Sequence, residues 1–142
     1  MKLVILPIGK IRSRPIAELA SQYARRLAHY LPIEEIVCKD DRQALSKLEP
    51  GDFLVLLDSR GGQMSSEQLA EFIRRHQMRG TKRMAFFIGG PDGAGQEIRA
   101  RAGLALGLSL MTFPHELAQV MILEQLYRAC SILKGEPYHK GP

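Results

Sequence analysis

Short apolar runs alternate with amphipathic stretches along the whole chain. Residues 2–8 and 84–88 predict buried strands, and residues 53–57 are apolar on both faces, as an interior parallel strand should be. Over residues 15–30 apolar positions recur every three or four residues, which predicts an amphipathic helix. Further strands are predicted over 33–38 and 105–110, and further helices over 41–48, 95–102 and 115–133. This alternation predicts one α/β domain spanning residues 1–142, with a mostly parallel sheet and helices on both of its faces.

Two local patterns follow the third strand. The residues from Asp58 to Gly62 are small, polar or glycine, and they predict a turn directly after Leu57. Ser65 and Gln68 then have the spacing of a capping box, which predicts the start of another helix.

The last helix is apolar nearly all round, which predicts burial on more than one side. In so small a domain the second cover is expected to be another subunit, so the sequence predicts a homodimer. Its polar residues Glu124, Arg128 and Ser131 share one stripe, and the first two are spaced as an ion pair. The stripe is either structural or faces a site.

Composition adds a charge pattern. The 142 residues carry a formal net charge of +5, and five basic residues fall in one stretch without an acid among them. A solvated helix face and a polyanion-binding surface explain this cluster equally well. The cluster comprises Arg74, Arg75, Arg79, Lys82 and Arg83, and a smaller basic group comprises Arg12 and Arg14.

The sequence predicts a cytoplasmic protein without membrane spans. Its apolar runs are too short to cross a bilayer, and its N-terminus lacks the pattern of a signal peptide. Cys38 and Cys130 lie in apolar surroundings without metal-binding spacing, so we expect buried, reduced thiols.

Two turns follow predicted strands and suit a small ligand. The first is glycine-rich, over residues 89–95, and the second covers 108–115. The glycines are explained either by a tight bend or by close approach of a ligand to the backbone. Such turns at neighbouring strand ends could hold an adenosine between apolar walls and backbone groups.

Several catalytic patterns are missing. The glycine turn matches neither a P-loop nor a dinucleotide fingerprint, and no serine stands in a nucleophile elbow. The four histidines are scattered without metal-ligand spacing, so no metal site is predicted. His115 is expected to be structural. His139 lies in a polar tail with Tyr138 and Lys140, after Pro137, and is a candidate functional residue.

Four segments together resemble the ribosomal large-subunit methyltransferase H family, a group of small SPOUT methyltransferases. The resemblance covers the whole chain. The segments are Phe87-Ile88-Gly89-Gly90 with Gly93, Leu108-Ser109-x-Met111-Thr112-Phe113-Pro114-His115, Glu124-Gln125-Leu126-Tyr127-Arg128-Ala129 and Pro137-Tyr138-His139-Lys140.

This resemblance implies a C-terminal trefoil knot, a homodimer and S-adenosylmethionine bound in the knot. It also implies methylation of N3 of a pseudouridine in 23S rRNA of assembled ribosomes. The implied cofactor contacts are Leu57, Gly89, Leu108, Ser109, Leu110, Met111, Thr112 and Phe113. Family members usually have an arginine where this chain has Gln119, which leaves Arg128 as the nearest replacement if that arginine contacts RNA. The chain is also shorter than typical members around residues 39–50.

The resulting hypothesis is a methyl transfer that depends mainly on positioning. His139 and Tyr138 would reach the cofactor of the other subunit, and Arg128 would offset negative charge. RNA phosphates would be contacted by Lys140 and by both basic groups. The alternatives are a non-catalytic RNA- or ribosome-binding module of the same fold, and methylation of another RNA position such as a tRNA ribose.

Overall fold

The structure, a computed structural model, describes residues 1–140 and the side chains of residues 1–138. Within that range the strands are β1 Lys2–Pro7, β2 Ile33–Glu35, β3 Phe53–Gln63, β4 Arg83–Ile88 and β5 Leu104–Gly107. The helices are α1 Arg14–Ala28, α2 Asp41–Ser46, α3 Ser66–Arg79, α4 Gln96–Arg101 and α5 His115–Lys134, and a 3-10 turn covers Pro137–Lys140.

The strands form one sheet in the order β2-β1-β4-β3-β5, and each of these pairings is parallel. Parallel strands point their carboxyl ends to the same edge of the sheet. The loops after β1, β3, β4 and β5 therefore leave the sheet at one edge, which is called the upper edge below. This arrangement confirms the predicted α/β class.

Helices cover both faces of the sheet, as predicted. Alternating strand residues such as Leu3, Val55 and Phe86 pack with α1, α3 and α5 in one apolar cluster. Their neighbours, such as Leu54 and Phe87, pack with α2 and α4 in the other cluster. The period-2 alternation of side chains along each strand thus divides one apolar run between two cores.

Local sequence signals set the ends of α3. The Ser65 hydroxyl accepts a hydrogen bond from the backbone of Gln68, and the Gln68 side chain accepts one from the backbone of Ser65. This reciprocal pair confirms the predicted capping box. The helix ends at Gly80, which has a φ of 88°, a conformation that favours glycine.

The predicted turn after Leu57 is wrong, because β3 continues to Gln63. Leu57 and Gly62 both lie opposite Leu106 of β5, so the chain leaves the ladder after Leu57 and returns at Gly62. A side chain on Gly61 would place its Cβ 2.5 Å from the carbonyl oxygen of Ala105, so only glycine allows this return. The fifth strand also ends at Gly107, earlier than predicted, and β2 ends at Glu35.

Helix α5 lies between α1 and α3 on one face of the sheet. Its residues Val120, Ile122, Leu123 and Leu126 are buried, whereas the Leu117 side chain is exposed. The described residues contain no helix that is long and apolar enough to cross a membrane. The trefoil knot, the homodimer and the single domain stay predictions.

Candidate active site

A cavity of about 730 Å³ opens at the upper edge of the sheet. Its walls come from residues 57–60 of β3, the end of β4, the glycine turn after β4, the chain between β5 and α5, and the first turn of α5. A crevice at the carboxyl ends of parallel strands is where α/β proteins generally bind ligands.

On one side of this cavity, the backbone of the glycine turn folds tightly, so that Gly89 approaches Gly93. A Cβ on Gly89 would lie 3.0 Å from the carbonyl carbon of Gly93, which itself has a φ of 73°. The Gly93 N–H donates to the carbonyl oxygen of Gly90 over 2.9 Å. The glycines therefore serve a tight bend, and that bend lines the cavity with backbone atoms.

Seven of the eight predicted cofactor contacts line this cavity. The exception is Leu110, whose side chain is 82% exposed and lies outside the lining. Met111 lines the cavity but is also largely exposed. The seven are Leu57, Gly89, Leu108, Ser109, Met111, Thr112 and Phe113. His115, which we expected to be structural, begins α5 and also lines the cavity.

The cavity wall also contains a charged cluster that the sequence reasoning missed, formed by Asp58, Arg60 and Arg99. Asp58 Oδ1 accepts the backbone N–H of Arg60 over 3.0 Å, and Oδ2 accepts a hydrogen bond from Arg99 Nη1. The Arg60 guanidinium lies 3.4 Å from Asp58 Oδ2. Asp58 stood in a segment predicted as a turn, and nothing local connects it to a helix 41 residues further on.

The tail, residues 137–140, folds back onto α5. Tyr138 donates its hydroxyl proton to Glu124 Oε2 over 2.8 Å. The same oxygen accepts Arg128 Nη2 over 2.7 Å, which confirms the predicted ion pair. Glu124 thus joins the two predicted catalytic residues whose side chains are described. The side chains of His139 and Lys140 lie outside the described residues.

The tyrosines of the chain gather around this junction. The Tyr127 ring centroid lies 4.6 Å from that of Tyr138, 5.8 Å from that of Tyr30 and 6.4 Å from that of Tyr23. Tyr30 also donates to Glu136 over 2.8 Å, just before the tail. Aromatic packing and two tyrosine–carboxylate bonds therefore fix the start of the tail to α1 and α5.

Electrostatics keep these polar groups in defined protonation states. Burial, together with Tyr23 and Glu124, raises the pKa of Tyr138 well above its ordinary value. The hydrogen bond to Glu124 raises the pKa of Arg128. Near neutral pH, Tyr138 is therefore a neutral hydrogen-bond donor and Arg128 a cation.

Within one protomer neither Tyr138 nor Arg128 lines the cavity. His115 at the cavity and Arg128 are 13 residues apart on one helix, which corresponds to about 20 Å along its axis. Tyr138 contacts Glu124, Tyr127 and Arg128, which lie six or more residues after Ala118, the last residue of α5 in the cavity lining. The structure therefore does not bring the predicted catalytic and cofactor residues together in one protomer.

The two predicted RNA-binding groups lie at opposite edges of the sheet. Arg12 and Arg14 follow the upper end of β1, and the backbone N–H of Arg12 donates to Glu116 at the start of α5 over 2.9 Å. Helix α3 runs from the upper edge to the lower one, where Arg79, Lys82 and Arg83 lie.

Pairing differs among these basic residues. The Arg83 side chain is 14% exposed, and its Nε lies 3.2 Å from Oδ1 of buried Asp52. Its charge is therefore mainly paired within the protein. Arg74 pairs with Glu71 on the surface of α3, and Arg75 is exposed there.

Gln119 occupies a buried position. Its side chain is 3% exposed and donates to Glu35 Oε2 of β2 over 3.1 Å. Glu35 is partly exposed, but loss of hydration on the side of Gln119 raises its pKa, and the hydrogen bond from Gln119 partly offsets that rise. In this protomer position 119 therefore faces β2 rather than a surface that RNA could contact.

Comparisons with known proteins agree with this fold. Residues 1–139 match the family described as "Predicted SPOUT methyltransferase". Proteins named ribosomal RNA large subunit methyltransferase H from Trichlorobacter lovleyi and Coprothermobacter proteolyticus are 42% and 41% identical to this chain. The alignments cover 98% and 99% of this chain, and 99% and 100% of those proteins. The chain belongs to the ribosomal RNA large subunit methyltransferase H family of SPOUT methyltransferases.

Solved SPOUT-type structures have the same fold at low sequence identity. A probable methylase family protein from Haemophilus influenzae is 10% identical, with a TM-score of 0.59 over 99% of this chain and 70% of that one. The SpoU methyltransferase AviRb from Streptomyces viridochromogenes, solved with its cofactor AdoMet, is 12% identical with a TM-score of 0.50. That match covers 89% of this chain and 56% of AviRb.

Proposed function

We propose that this protein uses S-adenosylmethionine to methylate N3 of a pseudouridine in 23S rRNA on assembled ribosomes. The observation that carries the proposal is the similarity, over nearly the whole chain, to proteins named ribosomal RNA large subunit methyltransferase H. The protein would act in rRNA processing in the cytoplasm, where the ribosomes are.

The cavity fits the methyl donor in size and chemistry. A volume of about 730 Å³ lies within the range typical of small-molecule sites. Leu57, Leu108 and Phe113 offer apolar surface for an adenine ring, and the glycine turn offers backbone groups for its edge. When bound, S-adenosylmethionine supplies an electrophilic methyl group. AviRb, which has the same fold, was solved with this cofactor.

We also propose that the C-terminal half forms a trefoil knot around this cavity. Support comes from the β3–β5 pairing, in which β3 leaves the ladder after Leu57 and returns at Gly62. The second half of β3 consequently lies against β5, which leads to the second cavity wall and α5.

The working unit would be a homodimer with composite active sites. In one protomer neither Tyr138 nor Arg128 lines the cavity, and about 20 Å of α5 separates Arg128 from His115. A second copy could bring its tail to the cavity of the first. The exposed apolar side chains of Leu117 and Met121 on α5 would then be covered by the partner.

The residues of the tail would prepare the target base. The imino nitrogen of a pseudouridine is a poor nucleophile until it loses its proton. His139 would accept that proton or stabilise the resulting anion, and Arg128 would add positive charge near it. Tyr138 has a raised pKa and donates to Glu124, so it would position the tail rather than act as a base.

RNA phosphates would bind to Lys140 and to the exposed basic residues at both edges of the sheet. A dimer presents two copies of each edge, so a large folded rRNA surface could contact both basic groups. Arg83 should contribute least, because Asp52 and Glu49 already pair with it.

The decisive experiment is mass spectrometry of 23S rRNA from cells with and without this gene. Deletion should remove one methyl group from one pseudouridine, and the wild-type gene should restore it. An unchanged 23S rRNA, or loss of a methyl group from tRNA instead, would contradict the proposed substrate.

A further inference from the structure

The charged cluster of Asp58, Arg60 and Arg99 is unexplained by an adenosine site. Asp58 follows Leu57, where β3 leaves the ladder, and Arg99 lies on α4, so two separate elements bring these charges to the cavity. The Asp58 side chain is only 10% exposed. Burying a carboxylate beside a cofactor cavity is costly, and its neighbours must compensate for lost hydration.

Those neighbours hold Asp58 as an anion. The backbone N–H of Arg60, followed by the side chains of Arg99 and Arg60, lowers the pKa of Asp58 from 3.8 to about 2. Arginine remains protonated throughout the physiological pH range. The cavity wall therefore presents one negative and two positive groups side by side at any pH at which cells grow.

Both charges keep capacity for a ligand. A carboxylate has about four acceptor positions, and in Asp58 only the bonds to the Arg60 backbone and to Arg99 are short. A guanidinium has about five N–H donors, of which Arg99 directs one to Asp58 and one to the Ala94 carbonyl oxygen. The Arg60 side chain is 76% exposed and can move toward a ligand.

We propose that this cluster binds the amino-acid end of S-adenosylmethionine. Asp58 accepts hydrogen bonds from the α-ammonium group, and Arg99 donates to the α-carboxylate, with Arg60 adding a second guanidinium. The inference rests on the proposed function, because it assigns the charged wall to the same ligand whose adenosine fits the apolar walls. An adjacent carboxylate and guanidinium form the complement of a zwitterion.

The consequence is selectivity for ligands that carry the zwitterion. S-Adenosylhomocysteine, the transfer product, keeps the amino-acid end, whereas 5′-methylthioadenosine has the same adenosine thioether without it. We expect the wild-type protein to bind S-adenosylhomocysteine at least about tenfold more tightly, since charge-assisted hydrogen bonds are among the stronger ones.

The test is calorimetric titration of both ligands into the wild type and into the variants Asp58→Asn and Arg99→Gln. Each variant should weaken S-adenosylhomocysteine binding by about tenfold and change 5′-methylthioadenosine binding by less than about twofold. Glu97→Gln is the matched control, because Glu97 is an exposed residue of α4 outside the cavity lining. It should leave both affinities unchanged.

Three outcomes would overturn the inference. Equal losses for both ligands would mean that the cluster only shapes the cavity, and unchanged affinities would mean that it does not contact the ligand. Failure of the wild type to bind either ligand would overturn the proposed cofactor as well. Retained 5′-methylthioadenosine binding shows that a variant is folded, so misfolding cannot imitate the expected result.

Discussion

Gly61 is the residue at which a single methyl group should disturb this site most. A Cβ there would lie 2.5 Å from the Ala105 carbonyl oxygen and 2.8 Å from the Leu106 nitrogen. Both atoms belong to the backbone of β5, which cannot rotate away as a side chain could. Gly61→Ala must therefore separate β3 from β5, and we expect a loss of about 2–3 kcal/mol in the free energy of unfolding.

Gly62 is a matched control in the next position. Nothing lies within 4 Å of a Cβ built on Gly62, and its φ is outside the left-handed region. Gly62→Ala should consequently change stability by no more than about 0.5 kcal/mol. The two variants differ only in where the added methyl group points.

Thermal unfolding followed by far-UV circular dichroism, at one fixed protein concentration, measures the difference. For a chain of this length a loss of 2–3 kcal/mol lowers Tm by about 6–12 °C. Gly61→Ala should also weaken binding of S-adenosylhomocysteine, because β5 and residues 58–60 line the cavity. If both variants unfold at the wild-type temperature, the close approach of β3 to β5 is not as described.

Three further predictions concern charge and the tail. The depressed pKa of Asp58 stabilises the fold above pH 4, and this contribution disappears as the pH falls toward 2. Between pH 5 and pH 3 the wild type should lose about 1 kcal/mol more than Asp58→Asn in urea unfolding, and equal losses would contradict this. His139→Ala should abolish methylation while leaving S-adenosylhomocysteine affinity nearly intact; undiminished turnover would remove His139 from the mechanism. Glutamine substitutions in the exposed basic group should reduce the slope of log affinity for ribosomes against log salt concentration by about 1 per lost phosphate contact. Arg83→Gln should mainly reduce stability. An unaltered slope would refute RNA contact by this group. The group to be substituted is Arg74, Arg75, Arg79 and Lys82.

Local signals were sufficient to predict the number and order of the strands and α-helices, though not all of their bounds. The period-2 and period-3.6 patterns identified the strands and helices, and the Ser65 capping box and the Glu124–Arg128 pair each depend on residues three or four apart. Alternation of strands and helices then indicated the parallel sheet. These features are encoded within a few residues of one another, so they can be read without knowing the fold.

Long-range approaches could not be predicted in the same way. The continuation of β3 past Asp58 depends on contact between Gly61 and β5, about 45 residues later, and in sequence the same glycines resemble a turn. Similarly, Asp58 meets Arg99 and Gln119 meets Glu35 only after the chain has crossed the sheet. The cofactor residues could be predicted because the family resemblance identified them. It did not identify the charged cluster that lies among them.

Methyl transfer by the purified protein tests the proposed activity most directly. Ribosomes from the deletion strain are incubated with methyl-labelled S-adenosylmethionine, and the 23S rRNA is digested and analysed by mass spectrometry. The wild type should transfer one labelled methyl group to N3 of a single pseudouridine, and His139→Ala should transfer none. Label in another nucleotide, or no label with a wild-type protein that binds S-adenosylhomocysteine, would contradict the proposed activity.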